Sequence, residues 1–392
     1  MKIALALSGG GFRATVFHLG VLARLARESQ LENVAYLSTV SGGSLCAGLV
    51  LALNNNQWPS SQAYLSDVLP AARHIVTSRD LKSALIKKVV LNIWDVFDPR
   101  ANELAELLAQ DWGVTINLNQ LPESPRWMIN ATCYETGKNW RFERFRMGDY
   151  LFGYTYDTDY PLSSALAASA GFPGLIGALT LETGGRDWFR YRESEPDSVS
   201  FDVARIQRRR TESIQPSFQA VHLWDGGVYD NHGLEGLYDY DDGWKKDIDF
   251  LIVSDAAGRS KPEAYQRGSK ALMRIITGVM MDQIRSLRAR SILERIRNHK
   301  DRGAFLQIGN SCAEILSAAG KEDEIAAKSA GCLTPQEAIQ AAETETDIAR
   351  LSAKKFELLF RHGYENADYT MYGFSSDLFK YLGYDRTILK TT

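Results

Sequence analysis

Residues 38–48 read Ser-Thr-Val-Ser-Gly-Gly-Ser-Leu-Cys-Ala-Gly, between an apolar run suited to a strand, Val34–Leu37, and one suited to a helix, Leu45–Leu53. A strand that passes directly into a helix through Ser41-Gly42-Gly43 makes a tight, strained turn, so the spacing predicts a nucleophile elbow. Such a turn exposes Oγ of Ser41 and aims the N–H groups of the next helix at whatever Oγ attacks. The frame Thr39-Val40-Ser41-Gly42-Gly43 departs from G-x-S-x-G at its first position. A β-branched residue there must be accommodated by a small neighbour. The competing reading is an ordinary strand-to-helix N-cap, a role Ser38 or Ser44 could fill.

The same hand-over occurs at the start of the chain. Ile3–Leu7 is a short, continuous apolar run, as expected of a strand buried on both faces. Ser8-Gly9-Gly10-Gly11 breaks it, and Phe12, Val16, Leu19, Leu22 and Leu25 then recur at helical spacing through Glu28. Strand, helix, strand, helix is the signature of a parallel α/β sheet. The glycine turn admits three readings: a phosphate cradle, an oxyanion hole, or a plain tight turn. Gly9-x-Gly11-x-x-Ala14 fits the loose dinucleotide pattern. That pattern also needs an acid at the end of the second strand, where this chain has Ser38-Thr39-Val40-Ser41, so the dinucleotide reading fails at its third element. A further signal is Trp224-Asp225-Gly226-Gly227 after the strand-like Ala220–Trp224. A carboxylate released at a strand end could take the proton of Ser41, directly or through one water; alone, Asp-Gly-Gly reads equally as a turn.

Taken together, Gly9-Gly10-Gly11-Phe12-Arg13, the Ser41 elbow, Ala168-Ser169-Ala170-Gly171-Phe172-Pro173-Gly174 and Asp225-Gly226-Gly227 make the chain resemble the patatin-like phospholipases. The resemblance covers about residues 1–256, and no family motif follows Gly258. It implies a three-layer α/β/α fold with a central, mostly parallel sheet. Residues 1–258 would form the catalytic region, and 259–392 a mainly helical extension packed on the same domain. It also implies a Ser41–Asp225 dyad, with Ser41 as nucleophile and Asp225 as base, and an oxyanion hole from Gly10, Gly11 and Gly42. Gly9, Arg13, Gly43, Gly226 and Gly227 would support the site, Arg13 either fixing the loop or meeting a phosphate. The reaction implied is ester hydrolysis of a phospholipid or lysophospholipid through an acyl-enzyme, with no metal and no cofactor.

Composition narrows the alternatives. A chain of 392 residues, 45% hydrophobic and 24% charged, can bury a large core as one domain or two. A formal charge of −3 gives no footprint for nucleic acid. Cys46, Cys133, Cys312 and Cys332 show no CxxC spacing, which argues against zinc and against a disulfide framework and fits a reducing compartment. With a strand expected directly after Met1-Lys2, no signal peptide is expected, and no apolar run approaches the ~18 residues of a membrane span. The expectation is a soluble cytoplasmic protein meeting membranes transiently at their surface, with a secreted role left open and oligomeric state unread.

Elsewhere, Ala63–Trp94 reads as helical with a break near Pro70, and Trp127–Tyr134 with Trp140–Arg146 as a hairpin. Arg186–Pro216 reads as a loop or extended hairpin, Lys270–Ile296 as one long amphipathic helix, and Pro335–His362 as another helix. Leu81–Phe97 and Arg205–Arg210 are candidate lipid-contact segments, each with a solvated-surface reading that is the plainer one. The histidines at 18, 74, 222, 232, 299 and 362 read mainly as structural, with His232 the one able to approach the site. An acyltransferase or thioesterase would need a histidine near Ser41. A non-catalytic regulatory protein would keep the fold, and a dinucleotide oxidoreductase is excluded first, for want of the ribose acid.

Overall fold

The computed structural model describes residues 1–91, 100–191, 211–245, 247–258 and 262–389. Strand β1 (Ile3–Leu7) is buried along its whole length. Side chains alternate across a strand, so Ile3, Leu5 and Leu7 enter one core while Ala4 and Ala6 enter a second on the opposite face. This double burial is why the run has to be apolar without interruption. β2 (Val34–Val40) and β3 (Arg126–Cys133) lie beside it on one side. Later strands, labelled β6 (Phe250–Asp255) and β7 (Gly303–Gln307), lie on the other. The order β7-β6-β1-β2-β3 is parallel throughout. β4 (Lys138–Phe142) turns back antiparallel on β3, and short strands Met147–Asp149, Gly153–Thr155, Trp188–Tyr191 and Thr211–Ile214 continue the sheet beyond it.

β5 (Ala220–Asp225) sets the geometry of the site. It pairs antiparallel with β3 through Leu223–Cys133, Trp224–Thr132 and Asp225–Ala131. β2 pairs with the same strand one residue earlier, Val40 opposite Asn130. β2 and β5 therefore meet end to end along β3, with their carboxyl ends facing each other.

Helices cover both faces. α1 (Gly11–Arg27), α2 (Gly42–Leu53) and α3 (Leu162–Ser169) contribute to the larger core, together with α6 (Ala353–Phe374). On the other face lies α4, formed by Ser269–Met273, Arg274–Met280 and Met281–Asn298, which packs through Ile292 and Ile296. α5 (Pro335–Ala342) precedes α6. The residues beyond 258 are not all helical: β7 extends the same sheet that β1 begins.

α1 and α6 cross backbone to backbone. A Cβ on Gly363 would stand 1.9 Å from the carbonyl oxygen of Phe17, and one on Gly20 would stand 2.0 Å from that of Phe360. Beside this crossing the buried Arg24 guanidinium bonds to Asp368, to Glu28 at 2.9 Å and to the Lys380 carbonyl at 2.5 Å. Three acceptors satisfy its donors, which is the condition for burying a charge.

Four expectations change. Pro70 does not break its helix: Tyr64–Val68 widens by one residue per hydrogen bond just before it, accommodating a ring that lacks an N–H. Pro335–His362 is two helices, because residues 343–352 leave the helical path to cross the site. The apolar side expected of Lys270–Ile296 is only partly a packing face, since Leu272, Ile275, Val279 and Leu287 are exposed. Cys312 and Cys332, twenty residues apart in sequence, come together with Glu365, their ligand-capable atoms within 4.8 Å of one another. Leu81 and Leu85 are buried and Ile86 is exposed, but residues 92–97 of that candidate lipid segment and all of Arg205–Arg210 lie outside the described residues. No helix among the described residues is long and apolar enough to cross a membrane.

The α1–α6 crossing carries a testable load. Gly363→Ala should destabilise the protein by about 3 kcal/mol or more, since neither backbone can retreat. Urea denaturation checks this; a loss below about 1 kcal/mol would show that the crossing tolerates a methyl group.

Candidate active site

Ser41 stands between β2 and α2 at φ 49° and ψ −116°, a conformation that residues with a side chain rarely adopt. What holds it there is a chain of hydrogen bonds whose proton order is set by its two ends. The Trp127 indole donates to Thr39 Oγ1 at 2.8 Å, and Ser169 donates to the Asn130 carbonyl at 2.7 Å. Between them Thr39 must donate to Ser44 and Ser44 to Ser169, each at 2.8 Å. The Ser41 N–H then donates to Ser169 Oγ at 3.0 Å. Thr39, the departure from the usual elbow, is thus accommodated by small neighbours, with its hydroxyl used as a link.

Asp225 reaches the elbow because β2 and β5 end against adjacent residues of β3. Its N–H donates to the Gly171 carbonyl at 3.1 Å, and its own carbonyl accepts from Thr132 at 2.8 Å. The Gly226 N–H donates to the Ser169 carbonyl at 3.3 Å, so Ser169 holds both sides of the pair, Ser41 by its hydroxyl and the Asp225 turn by its carbonyl. The carboxylate is buried. Oδ1 accepts from the Gly227 N–H at 2.7 Å, and Oδ2 has no aligned hydrogen-bond partner. Burial pushes Asp225 up from 3.8 to about 6, although the Gly227 N–H and the nearby Ser41 hydroxyl both favour its ionised form. Ser41 is therefore near enough to act on the carboxylate without being aligned to Oδ2, as is common before substrate binds.

The glycine turn after β1 completes the site. Gly9, Gly10 and Gly11 line the same cavity as Ser41 and Asp225. The Gly9 N–H is taken by the Asn231 carbonyl at 3.3 Å. Gly10, Gly11 and Gly42 stand at the starts of α1 and α2, where no carbonyl one turn earlier exists to accept their N–H groups. Gly43 follows in the first turn of α2.

A segment with no motif supplies the cavity's far wall. The Asp347 carbonyl accepts the Phe12 N–H at 2.8 Å. Gly11, at φ 59°, lies so close beneath it that a Cβ would meet that oxygen at 2.4 Å. Arg13 donates to the carbonyls of Ala256 at 3.1 Å and Thr344 at 2.6 Å, tying the turn to this strap. Lys82 secures the strap from outside through Asp347 at 3.1 Å. Of the two roles expected for Arg13, these contacts are those of a residue that fixes the loop.

The cavity has a volume of about 450 Å³ and combines the polar turn with an apolar wall of Leu45, Phe172, Leu175, Ile176, Met281 and Ile348. No histidine lines it among the described residues. His232, the histidine expected to approach, is buried with Nε2 3.3 Å from Asp255 Oδ2, without hydrogen-bond alignment. Burial alone would raise Asp255; His232 and Arg285 outweigh it and bring the carboxyl to about 2. His18 bridges Ser254 and the Ser8 carbonyl, His222 pairs with Glu135, and His362 accepts from the Gly309 N–H.

This combination of fold and site defines a class of enzyme-like α/β proteins in which a serine elbow faces a carboxylate. Comparison with known proteins makes the class definite: the family model for patatin-like phospholipases matches residues 5–238, and the chain belongs to that family. Lysophospholipase 3 of Saccharomyces cerevisiae is 31% identical over 152 residues, covering 33% of this chain and 21% of that protein. Among solved structures, human GIVD cytosolic phospholipase A2 aligns with all of this chain and 63% of its own, at 13% identity and a TM-score of 0.51. The same human protein in complex with methyl gamma-linolenyl fluorophosphonate and terbium chloride gives 12% identity and 0.50, covering 60% of that chain. The chain thus spans less than two thirds of each of these relatives, and the structural likeness is one of fold.

The raised Asp225 has a signed consequence. The fold favours its protonated form, so its contribution to stability is fully present below pH 3.8 and is lost as pH rises through about 6. The shift corresponds to a cost on the order of 3 kcal/mol above that range. Asp225→Asn should therefore melt higher than wild type at pH 8, with the difference closing toward pH 4. Thermal melts across pH check this; a variant less stable at pH 8 would contradict it.

Proposed function

We propose that this protein is a lipid acyl hydrolase that cleaves carboxylic esters of phospholipids or lysophospholipids through a Ser41–Asp225 dyad. The observation that carries the proposal is the buried, unaligned Oδ2 of Asp225 beside a serine held at positive φ, both opening on one cavity. In this reading Ser41 Oγ attacks the ester carbonyl while Asp225 accepts its proton. The N–H groups of Gly10 and Gly11, with that of Gly42, receive the developing oxyanion. Asp225 then returns the proton to the leaving alcohol, and the acyl group stays on Ser41. Water, deprotonated by the same carboxylate, releases the fatty acid and restores the serine.

A carboxylate of pKa about 6 is a stronger base than an ordinary aspartate and is still ionised at neutral pH. The apolar wall suits an acyl chain, and a substrate that resides in bilayers or micelles requires transient contact with their surface. The names of the matched lysophospholipase and of the phospholipase A2 that shares the fold support this substrate class. The acyltransferase or thioesterase alternative required a histidine beside Ser41, and none is among the described residues that line the cavity.

Fatty-acid release from lysophosphatidylcholine, followed by mass spectrometry, tests the proposal. Wild type should release fatty acid with kcat/KM rising through about pH 6. Ser41→Ala should lower the rate by about three orders of magnitude or more. Undiminished release by Ser41→Ala would refute the assignment.

A further inference from the structure

The outward side of α4 changes character along its length. Over Met281–Asn298 it is polar, with Gln283, Arg290, Glu294 and Arg297 exposed and only Leu287 apolar among them. Over the first part it is inverted: Leu272, Ile275, Val279 and Met280 are between 46% and 59% exposed, at spacings that place them along one side of the helix. Just before it Tyr265 is 87% exposed. Large apolar side chains gathered in this way mark an interaction surface, whereas single ones do not.

The position of this stripe is specific. The inward side of the same turns carries Arg274, Thr277, Gly278 and Met281, which line the cavity containing Ser41. Met273 reaches toward Gly174, in the block that also positions Ser41 and Asp225. The helix thus has one side on the cavity and the other, apolar side exposed. Over Arg274–Met280 its hydrogen bonds span five residues rather than four, a widening that recurs at functional sites.

We infer that the first half of α4 is the surface by which this protein sits on a lipid bilayer. Leu272, Ile275, Val279 and Met280 enter the acyl boundary, and Tyr265 lies at the headgroup level. The occupant follows from charge. Arg267 and Lys270 flank the apolar stripe, are exposed, and make no ion pair among the described residues. A basic rim around an apolar helix face matches a membrane surface that carries anionic lipid. A lipid leaving the bilayer at this point enters the cavity by crossing one helix. The inference rests on the lipid-hydrolase reading for its purpose, but its geometry does not. It adds to the candidate lipid segments Leu81–Phe97 and Arg205–Arg210 the first half of a helix that the sequence marks only as long and amphipathic.

The test is co-sedimentation with vesicles of phosphatidylcholine alone and of phosphatidylcholine mixed with phosphatidylserine. It compares wild type with I275E/V279E and the milder I275S/V279S, neither of which alters a cavity residue. Wild type should partition more strongly onto the mixed vesicles. I275E/V279E should lose about tenfold or more in partition, with the serine pair intermediate. Hydrolysis of soluble p-nitrophenyl butyrate should stay within about twofold. Unchanged partition of I275E/V279E, when its melting temperature matches wild type, overturns the inference. So does a wild type that ignores vesicles and elutes as a dimer which the variants dissociate, since the stripe would then be a contact between copies. Normal partition without hydrolysis of any ester would support the docking surface and count against the hydrolase reading instead.

Discussion

The site depends on two strands ending against one another. β2 stops with Val40 opposite Asn130, and β5 stops with Asp225 opposite Ala131, adjacent residues of β3. A shift of either register by a single residue would turn the side chain to the other face and part the serine from the carboxylate. The rest of the structure secures this meeting. The Ser169 hydroxyl takes the Ser41 N–H and its carbonyl takes the Gly226 N–H, so one residue of α3 spans both strand ends. The turn after β1 then fits against the pair from one side, and the strap at residues 343–348 closes it from the other.

This arrangement costs stability locally. Ser41 occupies a backbone conformation worth about 1–3 kcal/mol of strain, and burial of Asp225 opposes its ionisation. Both groups are held by contacts made by other residues: the hydroxyl chain from Trp127 to Asn130, the two sheet registers, and the packing of α1 and α6 behind the glycine turn. Strain concentrated where chemistry would occur, in a surrounding that over-determines it, is the pattern expected of a preorganised site.

Much of this was legible in the sequence, for physical reasons. Ile3–Leu7 and Val34–Leu37 are apolar because both faces of each strand are covered. The glycines around them mark turns where the backbone must approach something. The order of the motifs then pointed to the family and to Ser41 and Asp225. The strap was not legible, because it acts through the carbonyls of Thr344 and Asp347, and any residue has a carbonyl. The hydroxyl chain was hidden for a related reason: Thr39 and Ser44 looked like a departure and a cap until Ser169 joined them. Periodicity identified the apolar side of α4 but not whether anything packs on it. Sequence separation likewise concealed the approach of Cys312 to Cys332 and the attachment of His232 to Asp255 rather than to the serine.

In the proposed mechanism Ser41 is made reactive by Asp225 alone. The most direct test is the rate at which an alkyl fluorophosphonate labels the protein, with the modified peptide mapped by mass spectrometry. A single adduct on Ser41 is expected, with formation slowed by at least about a hundredfold in Asp225→Asn and essentially unchanged in His232→Ala. An adduct at another residue, or equal labelling rates in wild type and Asp225→Asn, would contradict it.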